Sequence, residues 1–168
     1  DSIGMVKAFY GNFLVVVKAL TYALMLGKDG LWEASRNAVL NANYLMEKLA
    51  DKYKMPYRRT CMHEFVMSLE QEHEQIDVSA MDIAKALLDY GIHPPTMYFP
   101  LIVAEALMVE PTETESKENL DEIIRAFEEI YEQARTNPEA VKTAPHVTPV
   151  GRLDEVQAAR KPHLKYSY

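Results

Sequence analysis

The stretch ALLDYGIHPPTMYFPLIVAEALMVE, Ala86–Glu110, decides the fold. Its start continues a stripe of helical period, with Ile83, Ala86, Leu87 and Tyr90 on one face and Gly91 as the stop. Pro94 then pushes His93 away from helical dihedrals, and Pro95 does the same to Pro94. HPP is therefore extended and hands the chain to a strand at Thr96. One strand signal covers Met97–Val103 and another Ala106–Glu110. Pro100 lacks an N–H, so it belongs at an edge or end of the ladder. Helix, stiff connector, strand and strand predict an α+β domain with a small, mostly antiparallel sheet packed by helices. The connector is cheap to order because its unfolded state is already restricted. Rigid loops of this kind hold polar side chains in place, here His93 and Thr96. The plainer alternative is a helix-to-strand connector without chemistry.

Upstream, Ser79 with Asp82 forms a capping box for the helix AMDIAKALLDY. EQEHEQID before it reads as a charged turn, and HEFVMSL, His63–Leu69, as a strand buried on both faces. A helix over Leu31–Tyr53 sets Leu31, Ala34, Ala38, Leu45 and Leu49 close to one stripe and ends before Pro56. Asn37, Asn41 and Asn43 are poor residues for a helix interior, because their amides compete for backbone groups. They imply bonds to a neighbouring loop or partner, or else a solvated face. Another helix is expected over residues 4–26, stopped by Gly27, with Lys28–Gly30 as a turn. From Phe13 to Leu26 its side chains are apolar on nearly every face, which requires cover on several sides. With Lys18 and Thr21 inside it, the run falls short of the roughly 20 apolar residues of a membrane span.

Downstream, Thr112 and Glu115 read as a second capping box, and a long helix over Ser116–Arg135 turns Leu120, Ile123, Ile124, Phe127, Ile130 and Tyr131 inward. Asn137-Pro138 opens a short turn, and an extended tail follows from Thr143. The organisation is a connecting apolar helix over 1–28, an α+β small domain over 29–142 and a tail over 143–168. A chain that opens without Met directly into its most apolar helix reads as a piece of a longer protein.

The 168 residues are 48% hydrophobic, enough for a real core. A net charge of −7 argues against a nucleic-acid footprint. A single cysteine, Cys61, excludes an intrachain disulfide and fits a reducing compartment, cytoplasmic or of mitochondrial-matrix type. Its apolar neighbours Met62, Phe65 and Val66 make it a buried, inert thiol. His63-Glu64 begins like a zinc-protease motif, but Met67 stands where the second histidine is needed. No metal site, serine elbow or glycine-rich phosphate loop is expected.

Longer strings carry more. FYGNF at Phe9–Phe13, NAVLNANYL at Asn37–Leu45, CMHEFV at Cys61–Val66, DYGIHPPTMYFPLIV at Asp89–Val103, EALMVEPTETESKENLD at Glu105–Asp121, NPEAVKTAPH at Asn137–His146 and RLDEV at Arg152–Val156 stand in one order. This array resembles the C-terminal part of the glycine-decarboxylating P-protein of the glycine cleavage system. It is most similar to subunit 2 of the two-subunit form. The resemblance implies the small C-terminal domain of an aspartate-aminotransferase-type (fold type I) pyridoxal-phosphate enzyme, lying over a cofactor held by a large domain. It implies a parent reaction that decarboxylates glycine and passes the aminomethyl group to the lipoyl arm of the H-protein, the cofactor taking up the electrons left as carbon dioxide departs. The family's cofactor lysine lies in a His-Lys motif, and no His-Lys dipeptide occurs in this sequence. The fragment is therefore expected to hold no catalytic residue and no cofactor, and to be inactive alone. Its expected contribution is a pocket rim of His63, His93, Thr96 and Thr112. The expected partners are the missing cofactor domain, a partner subunit and the lipoylated H-protein, with no nucleic acid and no membrane. Two alternatives stand beside it: a non-enzymatic dimerisation or binding module, and a self-contained small enzyme using His63 and His93.

Overall fold

The structure, a computed structural model, describes residues 1–6 and 10–165. The expected helix over 4–26 and the Phe9 of FYGNF reach into residues 7–9, which lie outside the described residues. Residues 4–6 and 10–12 are not helical. The first helix, α1, is Phe13–Leu49, and the Asn12 side chain caps it by accepting from Leu14 N at 3.1 Å. Gly27 breaks its dihedrals at φ 64, ψ −174. Only glycine reaches that conformation cheaply, which makes Gly27 a kink. The expected turn at Lys28–Gly30 is instead helical, and α1 ends at Leu49 rather than Tyr53.

Three strands follow: β1 (Phe65–Ser68), β2 (Thr96–Met97) and β3 (Ala106–Val109). They form an antiparallel sheet in the order β1-β3-β2, with Met67 opposite Leu107 and Met97 opposite the same leucine. The α+β expectation and the strand at Ala106 hold. The strand expected over Met97–Val103 does not. Tyr98 takes a left-handed φ of 58, Val103 N donates to Pro100 O, and Tyr98 N donates back to Ala106 O at 2.8 Å. Pro100 cannot extend a ladder, so the chain turns. β2 and β3 become a hairpin whose loop leaves Leu101 and Ile102 exposed.

Four further helices lie around the sheet: α2 (Glu70–Ile76), α3 (Ala80–Leu87), α4 (Lys117–Thr136) and α5 (Pro138–Lys142). The charged stretch read as a turn is α2. Glu70 and Glu72 at its N-terminal end and His73 in its last turn suit the helix dipole, and Asp77 closes it in the left-handed region. The Ser79–Asp82 capping box is present. Helix α3 continues as a 3-10 turn, Leu88–Tyr90, stopped by Gly91 at φ 71. The second capping box is absent. Thr112 lies at φ 63, whereas an N-cap is extended, and Ser116 caps α4 instead by accepting from Asn119 N. Pro138, read as opening a turn, starts the short helix α5.

The core gathers Leu45 and Leu49 of α1, Met67 and Leu107 of the sheet, Ile83 and Leu87 of α3, and Leu120, Phe127 and Ile130 of α4. Tyr53 lies within it, edge-on to Phe127, and its hydroxyl donates to Phe127 O at 2.7 Å. The final segment crosses α3. Asp89 accepts from His146 N and Val147 N, and Arg152 pairs with Asp82 at 2.9 Å. The end of this segment, read as extended, carries a six-residue helix, α6 (Glu155–Arg160), with every residue exposed.

Candidate functional site

The HPPT connector leaves the 3-10 turn at Gly91 and reaches the edge strand β2. His93 and Thr96 are both exposed there, while Pro94 and Pro95 are half-buried beneath them. Across from the connector runs the loop Glu110–Glu115, which joins β3 to α4. Two neighbouring cavities separate the two segments. A small one of about 250 Å³ is lined by His93, Pro95, Thr96, Met108 and Phe127. A wider cleft beside it is lined by His93, Thr112, Glu115, Asn119, Arg125 and Glu129 among others. His93 belongs to both. Three of the four residues expected at a rim, His93, Thr96 and Thr112, thus meet around one end of the sheet. His63 is exposed on the loop before β1 and lines neither cavity.

Two asparagines of α1 hold the surrounding loops. Asn41, 8% exposed, donates from Nδ2 to Thr112 O at 2.9 Å and to Glu115 O at 3.1 Å. Asn43 donates from Nδ2 to Cys61 O at 2.8 Å and accepts from Cys61 N at 3.0 Å. The bonding to neighbouring loops anticipated from these residues is real at both positions. Thr112 and Thr114 share a hydroxyl–hydroxyl bond of 2.8 Å, and the Tyr22 hydroxyl of α1 donates to Glu113 at 3.2 Å.

Carboxylates dominate the wider cleft, with Glu110, Glu115, Glu122 and Glu129 facing Arg125. Burial first, and then the Glu129 carboxylate, push the Tyr90 phenol above its ordinary value. Both effects oppose forming another negative charge there. Cys61, expected to be buried, is half-buried beside an exposed Met62, and what burial it has raises its thiol above the ordinary value, which makes it a poor nucleophile. Among the described residues no group of three or more His, Cys, Asp or Glu side chains is arranged to hold a metal ion, and no helix is long and apolar enough to cross a membrane.

Some contributors escaped the sequence pattern. Glu105, in the hairpin loop at φ 46, accepts from Ala80 N at 2.7 Å and so ties that loop to the start of α3. Nothing local marks Glu105, because its partner is 25 residues away in sequence. The clasp of Arg152 on Asp82 is more remote still. Asn41 did carry a signal: an amide placed where a helix gains nothing from one.

Comparison with known proteins gives a consistent set. The family model described as "Glycine dehydrogenase, C-terminal domain" matches residues 34–147. The chain is 60% identical over 162 residues to the "Probable glycine dehydrogenase (decarboxylating) subunit 2" of Desulforamulus reducens, a match covering 96% of this chain and 34% of that protein. Proteins of the same description from Fervidobacterium nodosum and Thermosipho melanesiensis are 59% and 54% identical, over 98% and 100% of this chain and 35% of each relative. The chain therefore spans 34 to 35% of the length of these curated relatives.

Proposed function

The chain belongs to the family of glycine dehydrogenase C-terminal domains, and from that premise we propose that it covers the pyridoxal-phosphate site of a longer glycine-decarboxylating protein. The parent reaction releases carbon dioxide from glycine and passes the aminomethyl group to the lipoyl arm of an H-protein. The cofactor supplies the electron sink when bound. The residues of this chain do not fit the task of holding it. The cofactor needs a lysine for its ring and cations or N–H groups for its phosphate. The cleft beside His93 has no lysine among its lining residues and sets Glu110, Glu115, Glu122 and Glu129 against Arg125. The role left to this domain is to shape the mouth of a site held elsewhere and to limit access to it.

The observation that carries this proposal is the meeting of His93, Thr96 and Thr112 around two adjoining cavities, on a connector stiffened by Pro94 and Pro95. Rigid backbone with exposed polar tips suits a rim more than a core. His63 is included in the proposed rim without a shared cavity to support it. The apolar half of α1, exposed from Phe13 to Leu26 except for half-buried Ala23, is proposed to pack against the remainder of the parent protein or a partner subunit. A contact between two copies of this chain is the rival occupant, and sedimentation of the parent protein separates the two. A reducing, cytoplasmic setting is part of the same proposal.

The test has two arms. The chain alone, supplied with pyridoxal phosphate, is expected to give no glycine–carbon dioxide exchange above free cofactor. In the full-length protein assembled with its partner subunit and lipoylated H-protein, His93→Ala is expected to lower turnover while stability stays within about 0.5 kcal/mol of wild type, as for other exposed positions. Exchange by the chain alone, or full turnover in His93→Ala, overturns the proposal.

A further inference from the structure

We infer that Asn41 is a positioning residue for the rim, fixing the Thr112–Glu115 loop opposite His93 through a buried carboxamide; this rests on the rim role proposed above. Asn41 sits inside a helix, where its side chain is a poor choice for the backbone. It is nearly buried, and its Nδ2 spends its N–H groups on the carbonyls of Thr112 and Glu115, two residues of one loop. At the first of those anchors Thr112 takes a left-handed φ of 63. A β-branched residue seldom adopts that conformation unless its surroundings force it. The loop is therefore held against its own preference, and Asn41 supplies two of the bonds that hold it. Releasing them lets Thr112 relax and move relative to His93 across the cleft.

Asn43 makes this inference testable. It lies two positions further along α1, is half-buried, and makes two bonds to the backbone of Cys61, on a loop that lines neither cavity. A general stabilising role predicts similar consequences for losing either asparagine. A positioning role predicts a consequence for turnover at Asn41 alone.

The experiment uses the full-length protein with its partner subunit, glycine and lipoylated H-protein. Asn41→Ala is expected to lower kcat/KM on the order of tenfold and to speed amide exchange across residues 112–116. Its melting midpoint should fall no further than that of Asn43→Ala, which keeps its kcat/KM. If Asn41→Ala does not fold, Asn41→Asp keeps the shape, removes the donor and is read by the same criteria. Equal losses of kcat/KM at Asn41 and Asn43, or unchanged exchange over residues 112–116, overturn the inference. Thr112→Ala and His93→Ala separate the two layers of reasoning. Full kcat/KM in both overturns the rim and this inference with it. A loss in either, beside full kcat/KM in Asn41→Ala, overturns the positioning role alone.

Discussion

Before the Gly27 kink, α1 leaves Phe13, Leu20 and Leu24 exposed by 77, 57 and 74%; after it, Leu45 and Leu49 are 0% exposed. The two halves belong to one helix and are both rich in aliphatic side chains. They differ in arrangement. The C-terminal half gathers Ala42, Leu45, Met46 and Leu49 into one buried stripe and turns Glu47 and Lys48 outward, although Leu31, Trp32 and Leu40 nearer the kink stay exposed. A stripe can be buried by one sheet and one neighbouring helix, here β1 and α4. The N-terminal half has no polar face to turn outward, so this domain's own elements cannot cover it. Apolar density shows that cover is needed, and periodicity shows whether the domain itself can provide it.

The largest effect expected from this contrast follows removal of a core leucine. Leu45→Ala should cost about 2–5 kcal/mol, the usual range for a buried leucine whose cavity only partly collapses. Leu20→Ala, on the exposed half of the same helix, should change the stability of the chain by no more than about 0.5 kcal/mol. Urea unfolding of the two variants measures both. Similar losses would mean that the N-terminal half is packed in solution and that the contrast is wrong.

A smaller effect tests how tightly α4 is tied to the end of α1. Tyr53 is buried, and desolvation first and the Glu72 charge second push its phenol well above the ordinary tyrosine value. The hydroxyl stays protonated and donates to Phe127 O. Tyr53→Phe should keep both edge-on ring contacts, with Phe127 and Tyr131, and cost about 1 kcal/mol, the net worth of one hydrogen bond. A loss several times larger would show that the hydroxyl organises more than one carbonyl.

Smaller again is the response of the exposed half to charge. Leu24→Lys should leave the unfolding midpoint of the chain within about 0.5 kcal/mol of wild type, because no core contact is lost. It should also reduce self-association seen by light scattering, since a charge now interrupts the apolar surface. A clear loss of stability without any change in association would place Leu24 inside a packed interface of the single chain.

These contrasts also mark what the sequence could disclose. The Ser79 cap, the strand at Ala106 and the stop at Gly91 are legible because each depends on residues a few positions apart, and the α+β class follows from the order of the elements along the chain. The bonds of the α1 asparagines to other segments were legible as misfits, though not their partners. The sequence predicts strand over Met97–Val103, where the hairpin loop lies, because Leu101, Ile102 and Val103 have strand propensity while Pro100 alone signals the turn. Helix α2 was read as a turn because its charges hide the single buried face that Glu72 presents. The false cap at Thr112 shares one cause with the site itself. The carbonyl of this left-handed residue is bonded by Asn41 from another element, and a local motif cannot register that.

The smallest expected effect concerns the clasp between α2 and α5, and it depends on pH. Lys142 Nζ donates to Asp77 Oδ2 at 2.6 Å, and this bond, then the charge of Lys142, hold the Asp77 carboxyl below its ordinary value. The same bond first and foremost raises Lys142. A carboxyl depressed by folding contributes stability that is fully present above its unfolded value, about 3.9, and is lost as pH falls through the lower folded value. The raised lysine contributes below its own unfolded value of about 10.4 and loses that contribution as pH rises through the folded one. Between those limits the clasp is constant. Asp77→Asn is the right comparison, because the residue closes α2 at φ 54 and asparagine tolerates the left-handed region about as well as aspartate. Alanine would mix a backbone cost with the loss of charge. Urea midpoints measured from neutral pH down to pH 2 should start slightly higher for wild type and converge with Asp77→Asn below the ordinary carboxylate range. The gap should also narrow in high salt, since both groups are near the surface. Parallel curves across the whole acid limb would mean that the clasp contributes nothing, and that α5 is held by Val141 in the core alone.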